Sequence, residues 1–87
     1  MSSSVNDVAL RSPRAVSVKI DGARLIVTVA DGREISVPID QFEFLERASE
    51  NDRADFRLIG SGHGIWWEKL EDGISVPQLF GLPADAT

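Results

Sequence analysis

Val16-Ser17-Val18-Lys19-Ile20-Asp21-Gly22-Ala23-Arg24-Leu25-Ile26-Val27-Thr28-Val29-Ala30-Asp31-Gly32-Arg33-Glu34-Ile35-Ser36-Val37-Pro38-Ile39 is the most regular stretch of the chain, and its period is two. Val16, Val18 and Ile20 alternate with Ser17, Lys19 and Asp21. Leu25, Val27 and Val29 alternate with Arg24, Ile26, Thr28 and Ala30. Ile35, Val37 and Ile39 alternate with Glu34, Ser36 and Pro38. Side chains on a strand point to opposite faces in turn, so each run has one apolar face. Asp21-Gly22 and Asp31-Gly32 separate the runs and suit tight turns that require positive φ. The stretch therefore predicts a three-stranded antiparallel meander. Ile26 is the only large apolar residue expected on its outer face. Pro38 has no N–H to give a ladder, which places it at a strand end or an edge.

Downstream, Asp40 reads as the N-cap of a helix, with Glu43 completing a capping box and Phe42, Leu45 and Ala48 packing on the meander. Phe44 is expected to be half exposed. Ser49 reads as the cap of a further charged turn. Phe56 to Ile59 and Ile65 to Trp67 read as the strands of a β-hairpin around the glycine-rich turn Gly60-Ser61-Gly62-His63-Gly64. Glu68 to Gly73 reads as an acidic loop. Ile74 to Phe80 reads as a short C-terminal helix capped by Ser75, with Pro77 in its first turn and Gly81 and Pro83 ending it. The expected fold is α+β: a three-stranded antiparallel meander, a helix, a β-hairpin and a short C-terminal helix. The expected organisation is a flexible N-terminal segment (1–14), a single α+β domain (15–82) and a C-terminal tail (83–87).

Size and composition bound the function. The chain has 87 residues and no cysteine, so disulfides and thiolate zinc sites are excluded. At this mass, folding hides about 60–65% of the unfolded chain's surface, enough for one modest core. Hydrophobic residues make up 43% and charged residues 26%, ordinary values for a globular domain. No apolar run is long enough to span a bilayer, and Met1 to Asn6 leads into no apolar signal segment. A cytoplasmic location without membrane contact is expected. The net charge is −5 and unevenly placed: residues 1–39 hold five basic and four acidic residues, whereas residues 40–87 hold four basic and ten acidic. Phosphate backbones are bound by released counterions around Lys and Arg, so nucleic acid is not an expected partner. The acidic half suits a basic partner, or simply a soluble surface.

Few residues offer chemistry. His63 is the only histidine, and a catalytic or metal role needs companions that the sequence does not provide. In its glycine-rich turn it is expected to be exposed. The turn lacks the lysine and following helix of a phosphate-binding loop. Glu68, Glu71 and Asp72 match no calcium-loop spacing. No serine has a base placed to activate it. No catalytic residue, metal or cofactor is therefore expected, and the protein reads as a non-enzyme. Trp66 and Trp67 must face opposite ways on a strand, and an exposed tryptophan is a common centre of protein interfaces.

The stretch from Ala15 to Leu82 resembles DUF2442, a small bacterial family of unknown function. The resemblance lies in Ala30-Asp31-Gly32-Arg33-Glu34-Ile35, Arg57-Leu58-Ile59-Gly60, Gly62-His63-Gly64-Ile65 leading to Trp67, and Ile74-Ser75-Val76-Pro77-Gln78-Leu79, in that order and spacing. Glu68 stands where the family usually has Pro, and Gly73 where it usually has an acidic residue. The resemblance makes Trp67 the recurrent, core tryptophan, leaving Trp66 as the exposed one. Some relatives carry a helix-turn-helix domain after this module, for which these 87 residues leave no room. Others lie beside a small toxin-like protein. The resemblance implies a fold and an antitoxin-like or regulatory interaction role, with no reaction. The expected partner is a small basic, toxin-like protein, held by a surface of Trp66, His63, Glu68, Glu71 and Asp72. The alternatives are a homodimer paired through a sheet edge or the Trp surface, and a small-ligand binder.

Overall fold

The computed structural model describes residues 13–81. The segment expected to be flexible (1–14) lies almost wholly outside them, as do the tail (83–87) and the helix-stopping Pro83. The order of elements is β1 (Ala15–Asp21), β2 (Arg24–Val29), β3 (Glu34–Pro38), a 3-10 turn (Ile39–Gln41), α1 (Glu43–Glu46), α2 (Glu50–Ala54), β4 (Arg57–Ile59), a second 3-10 turn (Gly60–Gly62), β5 (Gly64–Trp67), β6 (Asp72–Ser75) and α3 (Val76–Leu79). The strands form two antiparallel sheets, ordered β1-β2-β3 and β4-β5-β6. The fold is the expected α+β meander, helix, hairpin and terminal helix. The hairpin gains a third strand.

The alternation in the first meander has a direct structural counterpart. β2 is central, and its Leu25, Val27 and Val29 are fully buried. Opposite them on the same face lie Val18 and Ile20 of β1 and Ile35 and Val37 of β3. Pro38 is the last residue of an edge strand, where its missing N–H costs no ladder bond. One detail of the phase differs from the expectation. A register shift between Ala15 and Ser17 makes Val16 the extra residue of a β-bulge. Ala15 therefore takes the buried position that the simple alternation gave to Val16, and Val16 faces solvent, 60% exposed. Ile26, on the outer face, is half-buried.

Helix formation begins later than the capping-box pattern implies. Ile39 is buried and its N–H is bonded to Ala23 O at 2.8 Å. The chain thus stays anchored to the sheet and turns in 3-10 form. Asp40 lies exposed in that turn, and α1 starts after Phe42, with no side-chain cap. α1 buries Leu45 completely and half-buries Phe42 and Phe44. Ser49 caps α2 as expected, its Oγ accepting from Asp52 N–H at 3.1 Å.

The reading of Glu68–Gly73 as a loop and of Ile74 as helical is corrected. Asp72, Gly73 and Ile74 belong to β6, paired with Trp67, Trp66 and Ile65 of β5. An Asp-Gly pair followed by one isolated apolar residue looks like a turn in sequence. Burial of Ile74 against the core through the pairing with Ile65 outweighs that local signal. α3 follows, with Ser75 Oγ accepting from Gln78 N–H at 3.4 Å.

Both sheets share one core, and Trp67 is its largest fully buried side chain. Its ring packs edge-on against Phe44 of α1 at 5.5 Å and against Phe56 at 5.8 Å. Its Nε1–H donates to Arg53 O at 2.8 Å. The Arg53 guanidinium in turn donates to Leu45 O and Glu46 O, at 2.7 and 2.9 Å, at the end of α1, where Leu45 O also accepts from Ala48 N–H at 3.1 Å. A second tie lies at Gly62. A Cβ there would sit 2.5 Å from Ala15 O, and its φ is +94°. Only glycine allows the β4–β5 turn to meet the start of β1. Near the β2–β3 turn, Arg33 Nε pairs with Asp31 at 2.7 Å while the guanidinium lies over Phe80 at 5.2 Å.

Truncating Trp67 to Ala should cost about 3–5 kcal/mol, since it removes the largest core side chain and strands a buried carbonyl. Urea unfolding of W67A checks this, and Gly62→Ala should also lower the midpoint markedly. The Asp31 carboxyl is held below its ordinary value, chiefly by the Arg33 backbone N–H. Its stabilising effect is thus present above the unfolded-state pKa and lost as pH falls through the folded one. In an NMR titration, Arg33→Ala should leave much of that depression in place, because the backbone donor remains.

Candidate functional site

The outer face of the second sheet carries the features singled out in sequence. The pairing sets Arg57, Trp66 and Gly73 in one row across the three strands, and Ile59, Gly64 and Ser75 in the next. Two of these six positions are glycine, and each has a neighbour's side chain lying over it. A Cβ on Gly64 would come within 2.9 Å of Ile59 Cγ1. A Cβ on Gly73 would come within 2.9 Å of Trp66 Cε3 and 2.7 Å of Ile65 O. Bare backbone thus lets Ile59 and Trp66 lie down across the sheet, the situation that glycine inside a strand commonly marks. The result is an open apolar groove of about 420 Å³ whose lining includes Ile59, His63, Ile65, Trp66 and Ile74.

Trp66 is half-buried, not the freely exposed residue expected. The cause is Gly73, which gives the indole a surface to cover. Its Nε1–H donates to Glu68 Oε1 at 3.0 Å, and the same oxygen accepts from Arg57 Nη2 at 3.0 Å. Glu68 is therefore an exposed clamp holding the ends of Trp66 and Arg57. His63 is also half-buried rather than exposed. Its Nδ1 lies 2.8 Å from Gly60 O; a carbonyl only accepts, so Nδ1 carries the proton. His63 and Trp66 line the same groove.

Glu71 and Asp72 are exposed; Glu71 lies in the β5–β6 turn and Asp72 opens β6. Glu71 takes a positive φ of 52°, and Asp72 Oδ1 accepts from Gly73 N–H at 2.8 Å. The sequence-predicted residues fall into two groups: Trp66 and His63 in the groove, with Glu68 bonded to Trp66, and Glu71 and Asp72 at the β5–β6 turn and the first residue of β6. Ile59, Gly64 and Gly73 shape the groove and were not expected to. Glycine at Gly73 was the available signal, but it was legible only once β6 was known to be a strand. Among the described residues, no three His, Cys, Asp or Glu side chains converge to hold a metal ion. No helix among them is long and apolar enough to cross a membrane.

Gly73→Ala should push the Trp66 ring off the sheet. A fluorescence red shift with a lowered unfolding midpoint is expected, and an unchanged spectrum would show that the ring does not rest there.

Comparison with known proteins agrees with this architecture. A crystallised protein of unknown function from Rhodospirillum rubrum is 32% identical, with a TM-score of 0.73 over 79% of this chain and 86% of its own. An uncharacterised protein from Chromobacterium violaceum, solved by solution NMR, has a TM-score of 0.71 at 19% identity, over 99% of this chain and 79% of its own, and shares the fold. No curated protein matches. The model of the family described as a protein of unknown function, DUF2442, matches residues 15–82, and the chain belongs to that family.

Proposed function

We propose that the protein is a non-enzymatic interaction module, antitoxin-like or regulatory, that binds a small basic protein in the cytoplasm. The observation that carries this reading is the apolar groove walled by Trp66 and Ile59 on an otherwise solvent-facing sheet, with Glu71 in the β5–β6 turn and Asp72 at the start of β6 on the same sheet. An amphipathic indole held flat by a clamp at its polar end presents a large apolar area at little entropic cost. Carboxylates at the rim add steering and choice of partner.

The reading is tested by capturing partners of the tagged chain from its own lysate, with the Trp66→Ala/Glu71→Lys double variant alongside. One small basic protein, held in stoichiometric amount by the wild type and lost from the folded variant, is expected. The same partners on both proteins would remove this surface from consideration.

A further inference from the structure

The second sheet leaves one edge without protection, and the ladder fixes which backbone groups that edge offers. Val76 N–H donates to His63 O at 2.9 Å, which makes His63 and Val76 a hydrogen-bonded pair. Bonded pairs alternate along an antiparallel ladder, so Ile65–Ile74 is bonded and Trp66–Gly73 is not. The free N–H of Gly73, taken by Asp72 Oδ1, agrees. On its other side β5 must then bond through Gly64 and Trp66, to Ile59 and Arg57. The N–H and C=O of Leu58 are left pointing away from the sheet.

The other three edges each carry a device that discourages strand addition. β1 is bulged at Val16 and has α2 against it. β3 ends in Pro38, and its Ser36 O is occupied by Arg24 at 2.9 Å. β6 has Asp72 folded over its Gly73 N–H. β4 has no bulge, proline or side-chain cover among the described residues. It also holds two of the three exposed large hydrophobic residues, Leu58 at 38% and Ile59 at 42%.

Charge identifies the occupant. All four cations of residues 40–87 are already engaged: Arg47 with Glu43, Arg53 with the α1 carbonyls, Arg57 with Glu68, and Lys69 between Asp52 and Asp55. The ten carboxylates of this half far outnumber them. A second copy would bring the same excess negative charge. We infer that β4 binds an extended, basic segment of a partner protein by strand addition, bonded to Leu58 and laying an apolar side chain beside Ile59 at the mouth of the groove. The inference rests on the interaction reading above and names the partner's chemistry.

The test uses an alternating lysine–valine hexapeptide and its glutamate–valine counterpart. Leu58→Pro removes only the outward N–H and leaves the ladder bonds of Arg57 and Ile59 intact. The basic peptide should bind the wild type and slow hydrogen exchange at the Leu58 amide. L58P should weaken binding by about tenfold, the loss of one hydrogen bond, without shifting the urea midpoint. Leu58→Lys, which keeps the N–H but repels a basic strand, should weaken it likewise and serves if L58P does not fold. Failure of the basic peptide to bind, equal binding of the acidic peptide, or protection at another edge would each overturn the inference. So would a wild-type dimer in light scattering that L58P dissociates, which would make the occupant a second copy. Partner capture lost in the Trp66/Glu71 variant but kept in L58P would overturn the edge inference and leave the interaction reading standing.

Discussion

The indole of Trp67 is held from three directions: Phe44 from α1, Phe56 from the approach to β4, and the Arg53 carbonyl from the end of α2. Neither three-stranded sheet of this size is expected to stand alone in water with one face uncovered. The ring stands on the central strand of the second sheet and belongs to the core cluster that both sheets share. Its one polar atom is satisfied, so it can be completely buried without the cost of an orphaned donor. Arg53 extends the arrangement, since the residue whose carbonyl receives the indole N–H also closes the end of α1 with its side chain. A helix of four residues has almost no stability of its own. α1 exists because this network and the burial of Leu45 hold it.

The surface follows from the same constraint. Because Trp67 faces inward on β5, Trp66 must face outward, and the sheet has to accommodate a large ring on its solvent side. It does so with glycine at Gly73 and a carboxylate at Glu68. The groove that results is a by-product of laying two side chains over two glycines. The ladder alternation that positions Trp66 also turns Leu58 toward the open edge, so groove and edge are two aspects of one register.

The period-two runs of the first meander carried its fold plainly, because one face is buried and a shift of register would expose every apolar residue on it. Ser49 and Ser75 as caps were equally readable, whereas Trp67 as the core tryptophan came from the family resemblance and not from the pattern. Three features were not. The bulge at Val16 depends on how β1 meets β2 and on Gly62 seating against Ala15 O, a contact between distant parts of the chain. β6 is short and opens with Asp72-Gly73, whose local chemistry favours a turn; only pairing with β5 makes it a strand. The start of α1 was misplaced because the capping-box residues Asp40 and Glu43 compete with the anchoring of Ile39 to the sheet, and the anchoring prevails. At the candidate site, residue types were legible but contacts were not. The strand pattern showed that Trp66 and Trp67 face opposite ways, and the family resemblance made Trp66 the outer one, but neither could show the ring lying on Gly73 or its bond to Glu68.

Burial of Trp67 in the core that both sheets share should make the two small sheets one cooperative unit. Native-state hydrogen exchange in low urea, read at the amides of β2 and of β5, tests it directly. If the claim holds, both sets open with the same free energy and the same urea dependence, as one global unfolding event. Protection persisting in β2 after β5 has opened would show that the first meander stands without the second sheet, and would contradict it.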